Sequence, residues 1–139
     1  DALFCGTLDC CKHPSYQDLE GLRVSSHFFI DRSGRLFQYV SCLDRAWHAG
    51  VSSYEGRENC NDFSIGVELE GTDSAPYEQA QYETLGRLTD ALAEAYPIKY
   101  VTGHSMIAPL RKTDPGPAFD WLTYESLCTT GKPLCFPYV

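Results

Sequence analysis

Residues 78–97 read EQAQYETLGRLTDALAEAYP. Tyr82, Leu85, Leu88, Leu92 and Ala95 recur at spacings of three and four, which draws one apolar stripe along a helix. Pro97 cannot continue it, so the helix runs roughly from Glu78 to Tyr96. Its neighbours decide what the stripe packs against. Upstream, VSSHFFI (24–30) and RLFQYV (35–40) flank DRSG (31–34), the pattern of two strands and a turn. Gly34 suits the left-handed position of such turns. A Gly-, Ser- and polar-rich loop fills 41–62, and Phe63 to Leu69 is a short strand bounded by Gly71. Downstream, Tyr100 to Gly103 is a short strand, 105–119 a Pro-rich loop, and Trp121 to Leu127 a last short helix. Strands, helix, strand and helix in that order give an α/β or α+β protein with a mixed β-sheet. Residues 129–139 carry two prolines and no periodicity, and are expected to be irregular or frayed.

The chain has 139 residues, the size of a single domain spanning 1–139. No apolar run approaches the roughly 18 residues of a membrane helix, so no membrane partner is expected. The net charge of −8 argues against nucleic acid. A local basic cluster can still receive a small anion. Seven cysteines without a CxxC pair leave at least one unpaired and read as thiols of a reducing compartment. With no basic, apolar leader in view, the expectation is a cytoplasmic monomer.

Chemistry-bearing residues cluster after Gly103. His104 follows an apolar strand and opens a loop, where sheet proteins place reactive groups. Ten residues on, Asp114 stands before Pro115 and Gly116, which turn the chain sharply. A His and a carboxylate on one stiff loop can converge on zinc. The same spacing also suits a hydrogen-bonded histidine and an Asp capping its own turn. Glu68 lies on the strand Val67-Glu68-Leu69, with Val67 and Leu69 on one face and Glu68 and Glu70 on the other. A partly desolvated carboxylate there could be a general base, or simply face solvent. Lys112 could stabilise a developing oxyanion or be an ordinary surface lysine. Trp47, in RAWHAG (45–50), could stack on a sugar or fill a core.

Taken together, RAWHAG (45–50), GRENCNDFSIGVELEG (56–71), Gly103-His104 and RKTDPG (111–116) resemble the N-acetylmuramoyl-L-alanine amidase type 2 family. The resemblance runs from about Asp1 to Trp121. It implies the mixed sheet and helices shared with peptidoglycan recognition proteins. It also implies zinc-dependent hydrolysis of the amide between (anhydro-)N-acetylmuramic acid and L-alanine in muropeptides, in cell-wall recycling. By the same resemblance His104 and Asp114 are zinc ligands, Glu68 the catalytic acid–base and Lys112 the transition-state lysine. Arg23, Trp47 and Ala108 line the muropeptide groove.

Three departures accompany it. The family's first zinc ligand, a His closing an N-terminal strand, has no match, so the chain is expected to be N-terminally incomplete relative to the family. His13, His27 and His48 all fall at non-ligand positions. Asn59 stands where a substrate-binding Arg is found, and 122–139 diverge. The missing ligand leaves an alternative: a non-catalytic module that binds peptidoglycan fragments.

Overall fold

The computed structural model describes residues 26–72 and 75–137. They fall into two compact units, 26–29 with 36–69, and 30–35 with 70–72 and 75–137.

In the first unit, β1 (Phe28–Ile30, whose last residue belongs to the second unit) is the middle strand of a three-stranded sheet, between β2 (Leu36–Gln38) and β5 (Val67–Leu69). Phe28 and Ile30 are buried, as alternation along a strand requires. Phe29 points the other way, and its ring lies 6.1 Å from that of Tyr39 and 6.3 Å from that of Phe37. Tyr39 N–H donates to His27 O, and Asp31 N–H donates to Arg35 O, so β1 and β2 run antiparallel. His27 and Phe28 N–H both donate to Gly66 O, and Glu70 N–H donates to Ile30 O, which makes β1 and β5 parallel. The sheet is mixed, as the sequence predicts.

The loop 41–62 is more ordered than its composition predicts. It holds a two-stranded hairpin, β3 (Ser53–Tyr54) and β4 (Arg57–Glu58), with Ser53 opposite Glu58. Its turn, Glu55-Gly56, has both φ angles positive, at 52° and 79°. A one-turn 3-10 helix, Cys60–Asp62, follows Asn59 in the left-handed region. Asparagine tolerates that region better than most residues. Phe63 to Ile65 do not pair as strand, and β5 is only three residues long.

The second unit begins with the turn at 31–34. Asp31 Oδ1 accepts hydrogen bonds from Ser33 N–H, Ser33 Oγ and Arg35 N–H, and Oδ2 accepts from Arg35 Nε. Burial pushes the Asp31 carboxyl up, but the bonds from Ser33 and Arg35 and the Arg35 charge outweigh it and hold it below the usual range. A depressed folded-state pKa adds stability above the unfolded value of about 3.9, and that stability is lost as pH falls through the folded value. Asp31→Asn is therefore expected to lower the melting temperature at pH 7, with the gap to wild type closing below about pH 4. A gap of constant size from pH 7 to pH 3 in thermal melts would refute this.

α1 (Gln79–Ala95) matches the predicted helix to within a residue at each end. Gln81 explains the start: its Oε1 accepts Glu78 N–H, while its Nε2 donates to Glu70 O. Fully buried, Gln81 is a polar residue the apolar stripe does not reveal. Tyr82, Leu85, Leu88 and Ala93 are buried, but Leu92 is only half-buried and Ala95 is exposed. The buried face thus drifts off the predicted stripe in the last turn. Gly86 lets α3 (Trp121–Leu127) approach, because a Cβ there would lie 2.8 Å from Leu127 O. Tyr124 OH and Thr89 Oγ1 sit 2.6 Å apart across that contact.

The predicted strand at Tyr100 to Gly103 is a correction. Only Tyr100 pairs, in an isolated parallel bridge with Cys135. The tail past α3 is likewise tied down. Asp90 accepts bonds from Thr129 and Thr130 N–H. Burial and the Asp90 and Glu125 charges push the Cys128 thiol up to about 11, which leaves it a poor nucleophile at neutral pH. Among the described residues, no helix is long and apolar enough to cross a membrane.

Candidate active site

The predicted loop after Gly103 opens instead as one helical turn, α2 (His104–Ile107). Ala108 N–H donates to His104 O, and Arg111 and Lys112 N–H donate to Ala108 O. Ser105 N–H donates to Asp114 O and closes the segment on itself. Gly103 is required at its base: a Cβ would stand 2.6 Å from Pro115 Cδ. From α1's entrance, Tyr77 donates its hydroxyl to Pro115 O at 3.0 Å, and its ring packs edge-on against Phe119. Asp114 is thus held by backbone on one side and by Tyr77 on the other.

These constraints bring His104 Nδ1 and Asp114 Oδ2 to 2.5 Å. The His104 side chain is mostly enclosed and that of Asp114 is 37% exposed. Burial alone pushes the Asp114 carboxyl up. The hydrogen bond and charge of His104, with help from Lys112, overcome this and hold it below its ordinary range. An ionised carboxylate at neutral pH is what a metal needs as a ligand.

The pair passes a simple test of fit for zinc. Its donor set is one imidazole nitrogen and one carboxylate oxygen, both suited to the ion. Two ligands of a tetrahedral ion stand about 3.3 Å apart, so the pair has to open by less than about 1 Å once the shared proton leaves.

The other predicted residues are placed as follows. Glu68 is the half-buried middle residue of β5, in the first unit. Lys112 is half-buried and Ala108 buried, both on the segment that carries the pair. Trp47 is 56% exposed, in the first unit, with the Arg45 guanidinium 4.2 Å over its ring. Arg23 and His13 lie outside the described residues. His27 is committed elsewhere. Its Nδ1 accepts Gly66 N–H, so Nε2 carries the hydrogen and donates to Asp44 O. No lone pair is left for a metal, which agrees with its reading as a non-ligand.

Two residues that anchor these segments escaped the sequence reading: Tyr77, which reaches Pro115, and Asn61, which holds the Trp47 loop. Neither sits in a periodic pattern, and only the turn chemistry around Asn59 hints at the second.

The sequence profile of the N-acetylmuramoyl-L-alanine amidases matches residues 2–117. The 1,6-anhydro-N-acetylmuramyl-L-alanine amidase AmpD of Citrobacter freundii is 56% identical over 131 residues, covering 93% of this chain and 70% of that protein. A crystal structure of a selenomethionine AmpD derivative is similar with a TM-score of 0.75 at 55% identity, over 92% of this chain and 73% of that one. The Escherichia coli amidase AmiD, in complex with anhydro-N-acetylmuramic acid-L-Ala-D-gamma-Glu-L-Lys, is similar with a TM-score of 0.73 at 35% identity, over 83% of this chain and 53% of that one. This chain belongs to the N-acetylmuramoyl-L-alanine amidase family.

Proposed function

We propose that the protein hydrolyses the amide between (anhydro-)N-acetylmuramic acid and the L-alanine of the stem peptide in muropeptides, as a single cytoplasmic amidase domain working in cell-wall recycling. The observation that carries this reading is the His104–Asp114 pair, whose Nδ1 and Oδ2 stand 2.5 Å apart with the carboxylate ionised. The names of the relatives and the muropeptide bound to AmiD supply the substrate class.

His104 and Asp114 would hold zinc. When bound, the ion would supply a water made far more acidic than bulk water, with a pKa of about 7, and a Lewis acid for the carbonyl. Glu68 takes the water's proton as the new carbon–oxygen bond forms at the lactyl carbonyl carbon. The Lys112 ammonium stabilises the charge that gathers on the carbonyl oxygen. Glu68 then gives its proton to the alanine nitrogen, and the carbon–nitrogen bond breaks. The products are the free sugar acid and a stem peptide with a new amino terminus. An amide nitrogen is a poor leaving group until protonated, so one carboxylate serving both steps suits this reaction. Arg23, Trp47 and Ala108 line the groove for the muropeptide.

Incubation of zinc-loaded protein with an anhydro-muropeptide is expected to release free stem peptide, read by mass spectrometry. A folded, zinc-loaded sample that binds the muropeptide and leaves it uncut would replace this reading with that of a peptidoglycan-fragment-binding module.

A further inference from the structure

The chain after α3 has no periodic pattern, yet it is fastened at three points. At its start, Asp90 on α1 accepts Thr129 N–H at 2.9 Å, Thr129 Oγ1 at 2.8 Å and Thr130 N–H at 2.9 Å. One turn further along α1, Glu94 accepts Thr130 Oγ1 at 3.0 Å. At the far end, Phe136 packs edge-on against Tyr124 of α3, with ring centroids 5.2 Å apart. Just before it, Cys135 N–H donates to Lys99 O at 2.8 Å, and Val101 N–H donates to Cys135 O at 2.9 Å. Ordering a tail costs conformational entropy, which these contacts have to offset.

What the tail holds is the approach to His104. The two Cys135 bonds flank Tyr100 and fix the peptide groups of 99–101. Two residues past Val101, Gly103 caps α2, and His104 is the first residue of that turn. A second path reaches the same point through rings. Phe136 packs on Tyr124, the Tyr124 ring lies 6.1 Å from that of Trp121, and a Cβ on Gly103 would stand 3.4 Å from Trp121 Cζ2. Backbone bonds and aromatic contacts thus both run from residues 135–136 to the junction of Gly103 and His104. Ser105 and Tyr77 hold the Asp114 end of the loop, and the tail holds the His104 end.

We propose that the tail 129–136 is a positioning strap for the metal site, with Cys135 the positioning residue that sets His104 through its backbone. This role rests on the functional reading above, in which His104 is a zinc ligand. An imidazole meets the ion only while the backbone beneath it keeps its place, and the outer supports of a ligand commonly govern metal affinity by about 10- to 100-fold. Cys135 works through its N–H and C=O, so its thiol is dispensable. The tail lies beyond residue 117, where the match to the family's sequence profile ends, so the strap supplements the shared motifs.

The test uses three variants of the full chain. Cys135→Pro removes the donor to Lys99 O, Cys135→Ser keeps both backbone groups, and Asp90→Ala frees the start of the tail. Zinc affinity is measured by competition with a chromophoric chelator, well below the melting temperature of each protein. The visible spectrum of the cobalt-substituted protein reports the ligand geometry. Cys135→Pro should weaken zinc binding about tenfold and change the cobalt spectrum. Asp90→Ala should weaken zinc binding about threefold, and Cys135→Ser should stay within about twofold of wild type. A tail with a purely structural part would lower the melting temperature and leave affinity and spectrum alone. That result in a folded Cys135→Pro or Asp90→Ala protein would overturn the proposal, as would equal losses in Cys135→Ser and Cys135→Pro. A Cys135→Pro protein that fails to fold leaves the decision to Asp90→Ala, which alters no residue of the bridge at Tyr100. Wild-type protein that binds neither zinc nor cobalt would remove the functional reading and this role with it.

Discussion

Asp114→Asn is expected to strip the protein of zinc and to cut turnover by more than about 10³-fold. The substitution keeps the size of the side chain and an oxygen that can still meet His104 Nδ1. What disappears is the negative charge that burial opposes and that His104 and Lys112 sustain. A neutral amide is a poor ligand for a dication, and catalytic zinc ordinarily takes three protein ligands besides its water. A site that draws two of them from one eleven-residue segment has little affinity to spare. Elemental analysis after gel filtration should find close to one zinc per wild-type chain and almost none in the variant. Folding should survive, because Ser105 N–H still bonds the backbone oxygen of residue 114 and Tyr77 still reaches Pro115. A variant that keeps one equivalent of zinc and turns over at the wild-type rate would remove Asp114 from the metal site.

The sequence declares most clearly those elements whose own residues carry the signal. Helix α1 is legible because its apolar spacing and Pro97 set both ends, and α3 because Trp121 and Tyr124 bury one face of a two-turn segment. The antiparallel pair β1 and β2 is legible from its alternation and from Gly34, whose φ of 86° suits the turn. What escapes is structure held from a distance. The hairpin at Ser53–Glu58 is exposed, and its turn places Glu55 where Asn or Asp is the usual sign. The pairing at Tyr100 depends on Cys135, thirty-five residues away in a tail with no pattern. The His104–Asp114 contact depends on Gly103, Pro115 and Tyr77 closing around one turn of helix. From spacing alone the same pair could be a capped turn, and it is the family's motifs that single it out. Asn61 leaves almost no trace in the sequence, because its two acceptor bonds run to backbone groups that any residues would present.

Glu68→Gln is the sharper test of the chemistry. The substitution leaves an oxygen on β5 but removes the ability to take and return a proton, so kcat is expected to fall by about 10² to 10⁴-fold. KM should stay close to wild type, since the proposed role of Glu68 lies in the transition state and not in holding the muropeptide. Zinc content should also stay near one equivalent, which separates this variant from Asp114→Asn. The distinction matters because a carboxylate can serve as a ligand or as a base, and Glu68 has the chemistry for either. If zinc leaves together with activity, Glu68 belongs to the metal's ligands and the proton must be carried by another group. If both zinc and turnover persist at more than about a tenth of wild type, Glu68 is neither, and the assignment of the base fails. Only zinc retained with turnover lost fits a carboxylate that moves a proton between water and the departing alanine nitrogen.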